Sequence, residues 1–391
     1  MTFYHKMGIL PAKRHTVFRK PDGTMYREQV IGTCGFSGNQ ATLYHLNDPI
    51  SFKKMGKVYD LSPVYEEDPM VKYRLFNTFE LKTDAESNDP IMGRNYVLAN
   101  EDLKIATVAP EQEMNYFYRN SEGDEILFVH EGEGTVESIF GILPYKTGDY
   151  IIIPVGTTYR INMQTDSTRF LVIETQDEIT IPKKYRNEFG QMLENSPYCE
   201  RDIHPPSELI TIDEKGEFEV RIKMNGKLTG YIQEQHPFDV VGWDGFLYPW
   251  TFNIADFLPI TGQILQPPSV HQTFAGTGFV ICSFVPRMLE YYPGAIKTPY
   301  FHSNVDSEEV LYYVNGNFHS RKGVDKGAIT LHPMGLTHGP HPGVLEASLS
   351  VKETNEFAVM IDTFKPLRVT KKAVQCENED YLYSWSQPQN S

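Results

Sequence analysis

Along this chain hydrophobic residues alternate with polar ones or gather in short blocks, and helical periodicity is weak throughout. Three stretches read as clusters of strands. The first, from about Thr33 to Ile161, contains YVLAN, EILFVHEGEG, GILPYKTGDYIIIPVG and RINM. Its β-forming runs are bounded by Gly, Pro and Asp, the signature of strands joined by tight turns. The second, from Asp177 to about Asp256, mixes a few strands (FEVRIKM, YIQ) with the aromatic segment VGWDGFLYPWTF. The third, from about Ile260 to Phe364, returns to strands in FVICSFVPR, EVLYYVNG, AITLHP and FAVMIDTF. The best helix candidate is PKKYRNEFGQMLENS at residues 182–196, and the polar tail after Lys365 is expected to lie over the surface.

Within this pattern lies an internal repeat. Glu309 stands seven residues before Gly316, and Gly327, Pro333, Gly335 and His338 follow in KGAITLHPMGLTH. In the other half Glu125 stands seven residues before Gly132, and Gly148, Pro154, Gly156 and Tyr159 follow at the same spacings in TGDYIIIPVGTTY. Each half therefore reads as strand, glycine turn, loop, glycine turn, buried strand, Pro-x-Gly turn and final strand. Glycine turns are common in hairpins, so a single copy carries little weight, but two copies in register point to a fused pair of small β-barrels. These spacings resemble the two motifs of the cupin superfamily. The expected fold is all-β: a bicupin of two jelly-roll barrels with few short helices. We expect an N-terminal cupin-like barrel over residues 1–175 without metal ligands, a connecting segment over 176–258, and a C-terminal metal-bearing barrel with its tail over 259–391.

Composition agrees with many short strands and a sizeable core: 40% of residues are hydrophobic, with 23 Phe, 23 Tyr, 29 Gly and 26 Pro. A net charge of −15 argues against nucleic acid as a partner, because phosphate binding needs a basic footprint. Cys34, Cys199, Cys282 and Cys376 are far apart and form no CxxC pair, so neither a disulfide framework nor a thiolate zinc site is expected. The N-terminus lacks a signal-like apolar run, and no 18 apolar residues run together, which leads us to expect a cytoplasmic protein without membrane contact.

The chemistry differs between the two halves. His302, Glu309 and His338 fall on neighbouring strands of one barrel, and two imidazoles with one carboxylate can bind one face of an octahedral metal. Three positions then stay open, as in non-haem Fe(II) oxygenases. In the first half Tyr159 takes the place of His338, and no histidine precedes Glu125 at the matching position. Glu308 and Glu309 are adjacent, and on a strand they point to opposite faces. The repeated Glu-x6-Gly spacing selects Glu309 and leaves Glu308 as the alternative. His319 and His341, in polar turns, are read as ordinary structural histidines.

The segments VGWDGFLYPWTFNI, QPPSVHQTF, FVPR, YFHSNVDSEEVLYYVNG and LHPMGLTHGPHPG resemble the homogentisate 1,2-dioxygenase family, in particular a shorter bacterial branch of it. The similarity spans most of the chain and is most specific from Val241 to Gly343. It implies one Fe(II) per chain held by His302, Glu309 and His338, dioxygen and a small aromatic as substrates, and ring opening of homogentisate in tyrosine and phenylalanine catabolism. It also implies a homo-oligomer, a site-lining histidine at His332 and a substrate-facing tyrosine at Tyr300. Two positions depart from the family pattern. Leu265 stands where the family has an acid/base histidine, and Phe318 where it has a tyrosine. Leucine can neither hold nor deprotonate a bound hydroxyl, and losing a general base typically costs about two to four orders of magnitude in rate. The nearest replacements are His271 and His332. Arg287 is read as half of a structural ion pair rather than a carboxylate clamp. A cupin enzyme for another aromatic, an impaired relative and a non-catalytic binder of small aromatics are the competing readings.

Overall fold

The computed structural model describes residues 3–50, 52–83, 86–316, 318 and 323–386. The fold is all-β and built as a bicupin, with only two short α-helices among the described residues, Val344–Ser348 and Lys371–Val374. The N-terminal barrel is made from an eight-stranded and a seven-stranded sheet, and the C-terminal barrel is centred on a six-stranded sheet. A four-stranded sheet joins His5–Gly8, Val240–Gly245, Gln40–His45 and Arg27–Gly32.

The repeat predicted from spacing appears in the backbone. Gly132 and Gly316 end matched strands with φ of 100° and 98°, Gly148 and Gly327 follow at 89° and 75°, and Gly156 and Gly335 both lie at 80°. These left-handed angles are inexpensive only for glycine, so the two halves use the same turns for the same steric reason.

Two strands cross the expected divisions of the chain. Arg74–Asn77 leaves the N-terminal half and forms the edge of the C-terminal sheet, where Leu75 lies opposite Thr330 and Phe76 opposite Ile329. In return, Arg368–Val369 pairs with Leu98 and Ala99 at the edge of the eight-stranded sheet. The tail is therefore structural and not a surface cover. It forms the helix Lys371–Val374 and buries Cys376 and Tyr381.

The helix expected over residues 182–196 does not form. Only Lys183–Tyr185 makes a 3-10 turn. The Asn187 carboxamide oxygen accepts from the Phe189 and Gln191 backbone N–H groups, and Gly190 adopts φ of 83°, so a local turn outcompetes the helix.

Inside the N-terminal barrel, Glu125 occupies the position that Glu309 has in the second barrel, and the cation beside it belongs to the chain. The Arg94 guanidinium donates to Glu125 at 2.5 Å and to Glu174 at 2.6 Å. Tyr159, the counterpart of His338, donates to the other Glu125 oxygen at 2.7 Å, and Lys223 pairs with Glu174. Arg94, Glu125, Glu174 and Lys223 are all buried, so each charge is compensated by its neighbours rather than by water.

Candidate metal centre

Strand Glu308–Asn315 sets the carboxylate. Its alternation directs Glu309, Leu311 and Tyr313 into a cleft of about 1270 Å³, part of it open to solvent. Glu308 points the other way, and its Oε2 accepts the Leu367 backbone N–H at 2.7 Å. The two histidines arrive on loops clamped to each other: His302 N–H donates to His338 O at 2.8 Å, and His338 N–H donates to His302 O at 2.9 Å.

Each ring is oriented by its own loop. His302 Nδ1 lies 3.0 Å from the Tyr300 carbonyl, and His338 Nδ1 lies 3.2 Å from that of Leu336. A carbonyl only accepts, so Nδ1 carries the proton in both rings and Nε2 keeps its lone pair for the centre. His302 Nε2 lies 3.6 Å from Glu309 Oε2, and His338 Nε2 lies 3.4 Å from Glu309 Oε1. Ligands at right angles on an octahedral ion would stand about 3 Å apart. His338 Nε2 is buried without a hydrogen-bond partner, and the three ligand atoms lie within 4.8 Å of one another. An orphaned buried nitrogen turned toward a carboxylate is what a divalent cation would satisfy, and the donor set suits one.

His332 lies behind this cluster rather than in the cleft. Paired across the sheet with Glu309, it donates from Nδ1 to Glu309 Oε1 at 2.7 Å. Its Nε2 accepts from the Tyr381 hydroxyl at 3.0 Å, and its ring stacks on His338 with centroids 4.5 Å apart. Burial pushes the Glu309 carboxyl up, but the neighbouring imidazoles of His302, His332 and His338, with His332 donating directly, outweigh it and hold the group well below the usual carboxylate range.

The cleft also contains His271, Tyr300, Leu265 and Phe318. His271 packs on Phe284 with centroids 4.5 Å apart, and its Nδ1 is buried without a partner. Burial, aided by Arg287, lowers its pKa to about 3, so the ring is neutral at ordinary pH. Tyr300 is exposed, with its ring 6.0 Å from that of His302. Phe318 lies edge-on to Tyr313 at 4.7 Å. Both departures from the family pattern thus face the cleft. Arg287 pairs with Glu356 at 3.2 Å, yet it too lines the cleft. His341 is buried, with Nε2 3.2 Å from the Ser384 hydroxyl, and His319 lies outside the described residues.

Three residues near the site were not singled out from sequence. Lys297 lines the cleft. Asp362 sits directly across the sheet from Glu309, on the same strand face as the cleft-lining Ala358 and Met360. Burial, then the Glu309 charge, pushes it up to about 7. Alternation in FAVMIDTF carried that signal. Tyr381, reaching His332 from the tail, had none, because 49 residues separate the pair.

The fold is that of a bicupin, and one of its barrels carries a candidate two-histidine, one-carboxylate metal site. The family models for the N-terminal and C-terminal parts of homogentisate 1,2-dioxygenase match residues 80–254 and 252–391. The chain belongs to the homogentisate 1,2-dioxygenase family. A candidate dioxygenase of Saccharolobus solfataricus is 41% identical over 98% of this chain and 99% of its own. The human homogentisate 1,2-dioxygenase is 25% identical over 92% of this chain and 87% of its own. Among solved structures, a Bacillus subtilis oxalate decarboxylase mutant covers 78% of this chain and 81% of its own at 11% identity, with a TM-score of 0.36. No helix among the described residues is long and apolar enough to cross a membrane.

Proposed function

We propose that the protein binds Fe(II) through His302, Glu309 and His338 and uses dioxygen to open the ring of a dihydroxy-aromatic, homogentisate or a close relative. The observation that carries this reading is the pair of Nε2 lone pairs, set by backbone acceptors, converging with one carboxylate in a largely apolar cleft. When bound, ferrous iron supplies the one-electron chemistry that lets a ring hydroxyl and dioxygen react.

The chain's residues do the rest. The Tyr300 and Leu336 carbonyls hold the two rings, and His332 holds the carboxylate, so the donor set is organised before any ligand arrives. Leu311, Tyr313, Phe318 and Met360 offer an aromatic ring an apolar bed and exclude water from it. Lys297 and Arg287 suit an acidic substituent on that ring. Neutral His271, with Nδ1 unpaired, is the base available to a ring hydroxyl, since both nitrogens of His332 are engaged.

A second reading rests on Leu265 and Phe318. Their apolar side chains favour a ring with fewer polar groups than homogentisate, or slow turnover of homogentisate itself. A place in tyrosine and phenylalanine breakdown, a cytoplasmic location and a homo-oligomeric state accompany the main reading. The test is oxygen uptake by anaerobically iron-loaded protein with a panel of hydroquinones. Uptake stoichiometric with ring-opened product supports the proposal. Iron-loaded protein that consumes no oxygen with any of them refutes it.

A further inference from the structure

Far from the metal centre, a second cleft lies against the outer face of the N-terminal barrel. Strand Phe117–Asn120 alternates there: Tyr118 turns inward to Glu125, while Phe117 and Arg119 turn outward. That outer face is covered by Arg27–Gly32, by the turn after His45 and by the segment from Gln233 to Asp239, which leave a half-open cavity of about 1200 Å³. Arg119 lines it. Its Nε donates to the Thr158 hydroxyl at 2.8 Å, and its terminal nitrogens have no carboxylate partner among the described residues.

Arg119 is half-buried, and a guanidinium that faces a half-open cavity without an anion gains from one that enters it. In a chain with 51 acidic residues against 36 basic ones, a counterion would be easy to supply. The two acids of the cavity are already committed: Asp48 pairs with Arg27 at 2.8 Å, and Asp239 with His45 at 2.7 Å. Two further groups of the lining can donate. His236 Nδ1 accepts the Phe238 backbone N–H, which leaves Nε2 to carry the proton, and Ser121 adds a hydroxyl. Val30, Phe36 and Ile139 give the cavity an apolar side. Burial also holds the Arg119 guanidinium below its ordinary proton affinity, with no acid opposing the effect.

We propose that this cleft is a binding site for a small organic carboxylate, with Arg119 as the counter-charge and the apolar side receiving the ligand's hydrocarbon part. The site is separate from the iron cleft.

The experiment is calorimetric titration of the iron-loaded protein with butyrate at constant ionic strength, with sulfate as competitor. Wild type and Lys297→Gln should bind one butyrate per chain with equal affinity. Arg119→Gln should bind at least tenfold more weakly, and Arg119→Lys should fall between. Butyrate should raise the melting temperature of wild type and of Lys297→Gln, and leave that of Arg119→Gln unchanged. The proposal is overturned if Arg119→Gln binds as well as wild type, or if sulfate displaces butyrate with equal affinity. It is equally overturned if wild type binds no butyrate while Arg119→Gln changes oligomeric size, which would assign the cleft to a partner subunit's carboxylate.

Discussion

Replacing Tyr381 with phenylalanine removes one oxygen atom, and the structure says where the effect should appear. The hydroxyl donates to His332 Nε2 at 3.0 Å, and His332 Nδ1 in turn donates to Glu309 Oε1 at 2.7 Å. Tyr381 is 4% exposed and His332 0%, so no water replaces the lost donor. An unsatisfied buried acceptor costs about 1–3 kcal/mol. The imidazole would also be released to rotate or change tautomer, and the carboxylate would lose its fixed orientation. Losing a group that orients a ligand typically costs about 10–100-fold in metal affinity or activity. Tyr381→Phe should therefore release iron to a competing chelator about 10–100-fold more readily than wild type. Tyr198→Phe is the control. It loses an equally buried bond to the Thr273 carbonyl at 2.6 Å and should lower stability without changing iron affinity. If Tyr381→Phe keeps wild-type iron affinity, or if Tyr198→Phe lowers it equally, the Tyr381–His332–Glu309 chain is only a structural contact.

The neighbouring carboxylates should separate cleanly. Glu309→Gln should lose iron and oxygen uptake, while Glu308→Gln keeps both and loses only about 1 kcal/mol of stability, measured by urea unfolding, since its carboxamide oxygen still accepts the Leu367 N–H without the charge. Leu265→His should raise homogentisate turnover by at most about two to four orders of magnitude, and adding Phe318→Tyr should exceed the single change; ordinary turnover by the unmodified protein would contradict this. Arg94→Met leaves the buried Glu125 carboxylate without a cation and should cost about 3–5 kcal/mol in chemical denaturation while leaving iron stoichiometry at one. His130 has its pKa lowered to about 4 by burial, then by Arg169. A depressed histidine supports the fold above its unfolded pKa of about 6.5 and loses that support as pH falls toward 4, so at pH 5 the loss is about 2 kcal/mol. His130→Gln should flatten that part of the stability–pH curve, and an unchanged slope would show that His130 is not its source.

Much of the centre was legible because strands have a period of two and glycine turns have few substitutes. Matching Glu125 to Glu309 by their distance to Gly132 and Gly316 selected the residue that faces the cleft, and Glu308 does point away. The same alternation would have exposed Asp362 had FAVMIDTF been read for its faces. His332 was legible as a residue of the site but not as one behind it, since its position depends on which strand pairs with Glu309. The helix expected over 182–196 failed because amphipathic spacing does not register an asparagine turn followed by a glycine with positive φ.

By itself, then, the sequence determined the β class, the doubled barrel, the turns and the converging His, Glu and His. These follow from local rules: alternation, left-handed glycines and fixed motif spacing. Tertiary structure alone decided that Arg74–Asn77 and Arg368–Val369 trade barrels, that Tyr381 returns from the tail to hold His332, and that Arg94 fills the first barrel where the second gathers its ligands. Such contacts join residues tens to hundreds of positions apart. They are set by which surfaces must be buried against which, and no period along the chain records that choice.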